Sequence, residues 1–138
     1  MIGMPKTRPL VPHHPVVFAT RRADSVIRVG DGCGFSGTTF VAADHIEVGD
    51  RVQIGSNASV VDTDFHPLRP DERMRNFNAG ATAPIVIEDD VFVGMDSLIL
   101  KGVTIGEGSV VGGGSVVSQD VPPRSVVAGN PATVVRDL

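Results

Sequence analysis

From Ile87 onward, aliphatic residues recur at every sixth position without a miss: Ile87, Val93, Ile99, Ile105, Val111 and Val117. The fifth place of each hexad is small or β-branched, at Val91, Ser97, Val103, Ser109, Ser115 and Val121. Glycine follows the anchor at Gly94, Gly106 and Gly112. A six-residue period fits neither a helix at 3.6 nor a half-buried strand at 2. It is the period of a parallel β-helix, in which each hexad is a short strand plus a turn and three hexads close one triangular coil of about 18 residues. Coils stack at roughly the 4.8 Å strand spacing, with anchors pointing inward and fifth-place residues filling the corners. The competing explanation is a β-sandwich with chance spacing, which does not readily yield unbroken anchors and matching corners together.

Upstream the same pattern is fainter. Val17, Ala23, Val29, Phe35 and Val41 stand six apart, with Ile27, Cys33 and Thr39 in the fifth place. After one extra residue the phase restarts at Val48, Ile54 and Val60, with Val52 and Ala58 as corner residues. Residues 67–84, PLRPDERMRNFNAGATAP, carry no anchor. The predicted organisation is therefore an all-β chain: an N-terminal arm over 1–16, a β-helix over 17–138, one long protruding loop over 67–84 and a closing segment over 123–138.

Composition narrows the function classes. Six aromatic residues, all Phe, would be few for a globular core of 138 residues but suffice for a narrow stack of Val and Ile. Sixteen glycines and ten prolines suit a turn-rich architecture. A net charge of -4 without a basic stripe argues against nucleic acid as partner. No apolar run reaches the roughly 18 residues of a membrane span, and the proline-broken start does not read as a secretory signal. The single Cys33 cannot form an internal disulfide, and a reducing cytoplasm is the expected setting.

The pattern-free loop opens with Asp62-Thr63-Asp64-Phe65-His66-Pro67. A long loop inside a regular solenoid usually serves a purpose. Neutral imidazole can take a proton near pH 7, and a carboxylate or carbonyl on its other nitrogen would fix the tautomer, so His66 is a candidate general base. A plain surface histidine before proline is the alternative. His13 and His14 read as solvated arm residues and His45 as a corner or surface residue. With only His45 and His66 inside the solenoid, a catalytic zinc site lacks ligands, and no metal is expected. Cys33 reads as a small hydrophobe in a corner. The run DERMR from Asp71 to Arg75 reads as a solvated face that could also guide an anionic substrate.

Taken together, GFSGTTF at Gly34 to Phe40, DTDFHPLRPDER at Asp62 to Arg73, and the stretch from Pro84 to Arg136 ending GGGSVVSQDVPPRSVVAGNPATVVR resemble the hexapeptide-repeat acyltransferases. The resemblance is to their sugar O-acetyltransferase branch, which includes the maltose, galactoside and nodulation-factor enzymes and enzymes of polysaccharide biosynthesis. It implies a left-handed β-helix, a homotrimer with active sites between subunits, acetyl-coenzyme A as co-substrate and a saccharide acceptor. By the same resemblance His66 is the catalytic base, and the pantetheine arm lies along Gly94, Met95, Gly112 and Gly113. Ser118, Gln119 and Arg136 match positions near the nucleotide end. Gln119 and Thr133 stand where relatives carry basic residues, leaving Lys101 and Arg124 as candidates to supply that charge. Ser36 occupies the region of a relative's acceptor-binding asparagine, and Asp62 and Asp64 are placed to orient His66 or bind acceptor hydroxyls. Transfer to an amine, or a non-catalytic β-helix scaffold, are the alternative functions.

Overall fold

A computed structural model describes residues 14–138. Most of the expected arm, including His13, lies outside the described residues. The first coil is β1 (Val17–Thr20), β2 (Val26–Val29) and β3 (Gly34–Phe35). The second is β4 (Thr39–Ala42), β5 (His45–Val48) and β6 (Gln53–Ile54). The third begins with β7 (Ser59–Val61), departs into a loop bearing the helix α1 (Pro70–Arg75), and resumes as β8 (Ile85–Ile87) and β9 (Phe92–Val93). The fourth is β10 (Leu98–Ile99), β11 (Thr104–Ile105) and β12 (Val110–Val111). The fifth is β13 (Val116–Val117), a bridge from Val121 to Ile105, and β14 (Ser125–Gly129). Finally β15 (Ala132–Asp137) folds back antiparallel on β14, so the predicted closing segment is a hairpin.

Three parallel sheets result: β1-β4-β7-β10-β13, β2-β5-β8-β11, and β3-β6-β9-β12-β14 with β15 at its edge. This is the all-β, hexapeptide-coiled architecture the periodicity predicts, and it is consistent with a left-handed β-helix. Partners Leu98 and Val116 are 18 residues apart, one coil, whereas Ser59 and Leu98 are 39 apart. The surplus is the loop, inserted between the first and second sheets of the third coil.

All six anchors from Ile87 to Val117 are at most 1% exposed, and the six fifth-place residues at most 4%. The buried serines are satisfied. Ser97 and Ser115 donate their hydroxyls to the Gly112 carbonyl, and Ser109 donates to that of Pro122. A hydroxyl in a dry corner without such a partner would be destabilising.

The first two coils differ from the expected phase. Val29 and Phe35 pair with Val48 and Ile54 as anchors should, but Phe40, not Val41, pairs with Val60, and Phe18, not Val17, pairs with Phe40. Thr38 and Phe40 are fully buried in the places assigned to Thr39 and Val41, and Ala23 is exposed. The cause is the turn at Gly37, whose φ of 59° lets the chain turn one residue sooner. Phe18 stacks on Phe40 at 5.0 Å and Phe35 packs edge-on to it at 5.1 Å, so half of the chain's phenylalanines fill the first-coil end of the prism.

The exposed Arg51 clamps Asp90 on the next coil through two hydrogen bonds of 2.7 and 3.0 Å. That hydrogen bond and charge hold the Asp90 carboxyl below the usual carboxylate range. Any stability it adds is present at neutral pH and lost as acid protonates Asp90. Full exposure to water keeps the contribution small.

Candidate active site

The loop root is built by backbone pairing. Asp62 is fully buried at the end of β7, and its carboxylate accepts from Ala43 N at 2.7 Å and Asp44 N at 2.9 Å, one coil below. Thr63 pairs antiparallel with Thr82, Asp64 N donates to Ala81 O, and Ala83 N donates to Asp62 O, so outgoing and returning limbs zip together. Removing the Asp62 carboxylate would strand two amides in a dry corner. Asp62→Ala is expected to lower unfolding free energy by about 3 kcal/mol, read from the denaturation midpoint. An unchanged midpoint would mean that the carboxylate does not hold this corner.

Beyond the root the chain turns sharply. Phe65 adopts φ 63°, a strained setting for a bulky side chain, held by Phe65 N donating to Thr63 Oγ1 at 3.0 Å and Gly80 N donating to Phe65 O at 3.3 Å. A Cβ on Gly80 would come within 2.4 Å of His66 N, so only glycine lets the return limb approach this closely.

That turn presents the half-buried His66. Its Nδ1 lies 2.6 Å from the Phe77 carbonyl oxygen, and its ring stacks on the Phe77 ring at 3.8 Å. A carbonyl only accepts, so Nδ1 carries the proton of the neutral ring and Nε2 keeps a free lone pair. The group that fixes the tautomer is thus a carbonyl. Neither expected carboxylate orients the ring. Asp62 is committed to backbone amides, and Asp64 Oδ1 sits 3.0 Å from Lys101 Nζ, tying the loop to the fourth coil. Lys101 is therefore already paired, which weakens it as a replacement phosphate ligand. The DERMR run folds as α1 with no buried residue; Arg75 pairs with Asp71 at 3.6 Å, and Arg73 donates to the Pro67 and Leu68 carbonyls. His45 bonds Glu47 on the second sheet at 3.1 Å.

The other predicted site residues fall into separate places. Gly94, Met95, Gly112 and Gly113 stand together at the corner between the third and first sheets. There a Cβ on Gly94 would come within 2.5 Å of Gly113 N, so these coils pack backbone to backbone. Gly55 extends the column downward, 2.6 Å from Met95 N by the same measure. Gly55 is an addition to the expected set, although its signal is in the sequence: it follows the anchor Ile54 as Gly94 follows Val93. Ser36 lies at this corner on the first coil, exposed, its carbonyl accepting from Asn57 N at 3.0 Å. Ser118 and Gln119 are elsewhere, exposed after β13 at the corner from which the His66 loop departs. Arg136, paired in register with Val126, is exposed on β15. Within one chain, His66 and the glycine column thus occupy different corners of the prism.

Residues 84–119 match the family model of the bacterial transferase hexapeptide, six repeats. Over 93% of its length the chain superposes on 75% of the hexapeptide-repeat-containing acetyltransferase of Vibrio cholerae, with 32% identity and a TM-score of 0.74. The chain belongs to the hexapeptide-repeat acetyltransferases. The structure of the Vibrio protein complexed with acetyl-coenzyme A matches 81% of this chain and 60% of that one, with 40% identity and a TM-score of 0.76. A Schizosaccharomyces pombe protein assigned as an acetyltransferase is 42% identical over 100 residues, 72% of this chain and 47% of the relative. The galactoside O-acetyltransferase of Lactococcus lactis is 39% identical over 100 residues, with the same coverage of 72% and 47%. The chain spans about half the length of the curated relatives it matches.

Proposed function

We propose that the chain is an acetyl-coenzyme A-dependent O-acetyltransferase acting on a sugar hydroxyl, with His66 as general base. The observation that carries this reading is the Nδ1 contact to the Phe77 carbonyl, which leaves Nε2 free to accept a proton. The substrate hydroxyl gives its proton to Nε2 as its oxygen attacks the thioester carbonyl. As the tetrahedral intermediate collapses, the C–S bond breaks and the proton passes to the departing sulfur. Backbone N–H groups aimed at the thioester oxygen would stabilise the negative charge that develops there. In this reading transfer is direct in a ternary complex, which fits the lack, among the described residues, of a side chain beside His66 arranged as an activated nucleophile.

The glycine column suits the pantetheine arm, because Gly94 lets the coils pack backbone to backbone and a side chain on the exposed Gly113 would stand in the space beside them. Lying on a different corner from His66, that column would meet the base only across a subunit boundary. A homotrimer, with the column of one copy facing the His66 loop of the next, supplies the geometry. Arg136 and Ser118 are the candidates for the nucleotide end.

Calorimetric titration with coenzyme A and acetyl-coenzyme A tests the donor. Saturable binding is expected at micromolar to sub-millimolar concentration, one site per chain. Thiol release is then followed with neutral pyranosides and amino sugars, which separates transfer to oxygen from transfer to nitrogen. An absence of coenzyme binding would discard the enzyme reading in favour of a scaffold.

A further inference from the structure

A cavity of about 200 Å³ beside the His66 turn is walled by Arg21, Arg22, Ala43, Thr63, Phe65 and Asn78. Its walls are stacked from three coils: the two arginines follow β1, Ala43 follows β4, and Thr63 and Phe65 follow β7. Asn78 comes from the return limb of the loop. Phe65 and Asn78 are the chain neighbours of His66 and Phe77, the two rings that stack to fix the base. The cavity therefore adjoins the proposed catalytic centre.

Two features set this cavity apart. No carboxylate lines it. Arg21 and Arg22 also have no ion pair among the described residues, which is equally true of Arg28, Arg73, Arg124 and Arg136, but these two stand side by side in the wall of one cavity. The acids nearest along the loop root are already committed, Asp62 to two backbone amides and Asp64 to Lys101. Arg21 is held in place instead by Phe65, with its guanidinium carbon 5.2 Å from the ring centroid. A guanidinium over an aromatic face keeps its in-plane N–H fork available for a planar or tetrahedral anion. Two adjacent cations without a counter-charge disfavour each other, and a bound anion turns that repulsion into charge-assisted hydrogen bonding.

We propose that the acceptor carries an anionic group, a carboxylate or a phosphate ester, which Arg21 and Arg22 bind while a hydroxyl of the same molecule reaches His66. This rests on the acetyltransferase reading above and narrows its acceptor class. Thr63 and Asn78 supply neutral polar groups to the same cavity, suited to the remaining sugar hydroxyls.

The test titrates the full chain with galactose 1-phosphate, methyl galactosiduronate and neutral methyl galactoside. At least one charged ligand is expected to bind about 10- to 100-fold tighter than the neutral one. Whichever is preferred, phosphate or carboxylate, identifies the anion. Arg21→Gln and Arg22→Gln should each collapse the preference to a few-fold without moving the melting temperature, and His66→Ala should leave it intact. Equal affinity for charged and neutral ligands, no binding of either charged ligand, or a preference that survives the double Gln variant would overturn the proposal. Thiol release is measured separately. Charge-selective binding without any acetyl transfer would defeat the enzyme reading and leave the anion site standing.

Discussion

Replacing His66 with alanine is expected to lower turnover by about 10²- to 10⁴-fold while acetyl-coenzyme A binding and the melting temperature stay near wild type. The size of the effect follows from what the ring alone provides. An alcohol is a poor nucleophile until its proton has somewhere to go, and in the proposed mechanism Nε2 is the acceptor that the loop presents. The Phe77 carbonyl on Nδ1 fixes both the ring plane and the tautomer, so the lone pair stands ready without a prior proton shift. Stability should be little affected, because His66 is half-buried on a protruding loop and contributes nothing to the column of Val and Ile anchors. Steady-state thiol release sets the magnitude, and calorimetry with acetyl-coenzyme A on the same variant separates chemistry from donor binding. Turnover within a few-fold of wild type would remove His66 from its role.

The contrast between His66 and its neighbours shows where sequence stops being informative. The position of the histidine is legible, because it stands at the point where a strict repeat breaks. Its partner is not: a main-chain carbonyl eleven residues on has no residue-type signature, and nothing in a string of letters tells Phe77 from any other loop position. Asp62 and Asp64 looked equivalent beside His66, yet one lies fully buried on amides 18 and 19 residues back and the other reaches a lysine on the next coil. Those pairings are set by coil stacking, which only three dimensions reveal. The approach of Arg21 to Phe65 is hidden for the same reason.

The fold shows a similar division. From Ile87 the hexads are regular enough to assign every inward residue. Around Thr38-Thr39-Phe40-Val41-Ala42, several adjacent residues could each serve as anchor, and the short turn at Gly37 decides between them. Helix α1 was not expected within the loop, although weak signals for it exist: Pro70 at its start, Asp71 and Glu72 in the first turn, Arg73 and Arg75 in the last. It has no buried face, so hydrophobic periodicity, the strongest helix signal, was absent.

Ile105→Asp is expected to prevent folding altogether, or to leave an aggregated product. Ile105 is fully buried on β11, paired with Ile87 below, and Val121 bridges to it from above. The prism is one side chain deep from wall to centre, so a carboxylate there cannot tilt towards water without opening a coil. It would lie among Ile87, Ile99, Val111 and their neighbours with no donor to meet it. An unpaired charge in such surroundings costs several kcal/mol even if it is neutralised by protonation, which is comparable to the whole stability of a small domain. The stack also transmits the damage, because each coil's backbone is hydrogen-bonded to the coils on either side and a lost coil exposes two new edges. Ile105→Val removes one methylene from the same position and should cost only about 1 kcal/mol. Circular dichroism and size-exclusion chromatography on the pair distinguish charge from shape. A soluble, fully β-structured Asp variant with wild-type hydrodynamic size would mean that residue 105 does not point into the prism, and the inward register of the whole fourth coil would have to be reassigned.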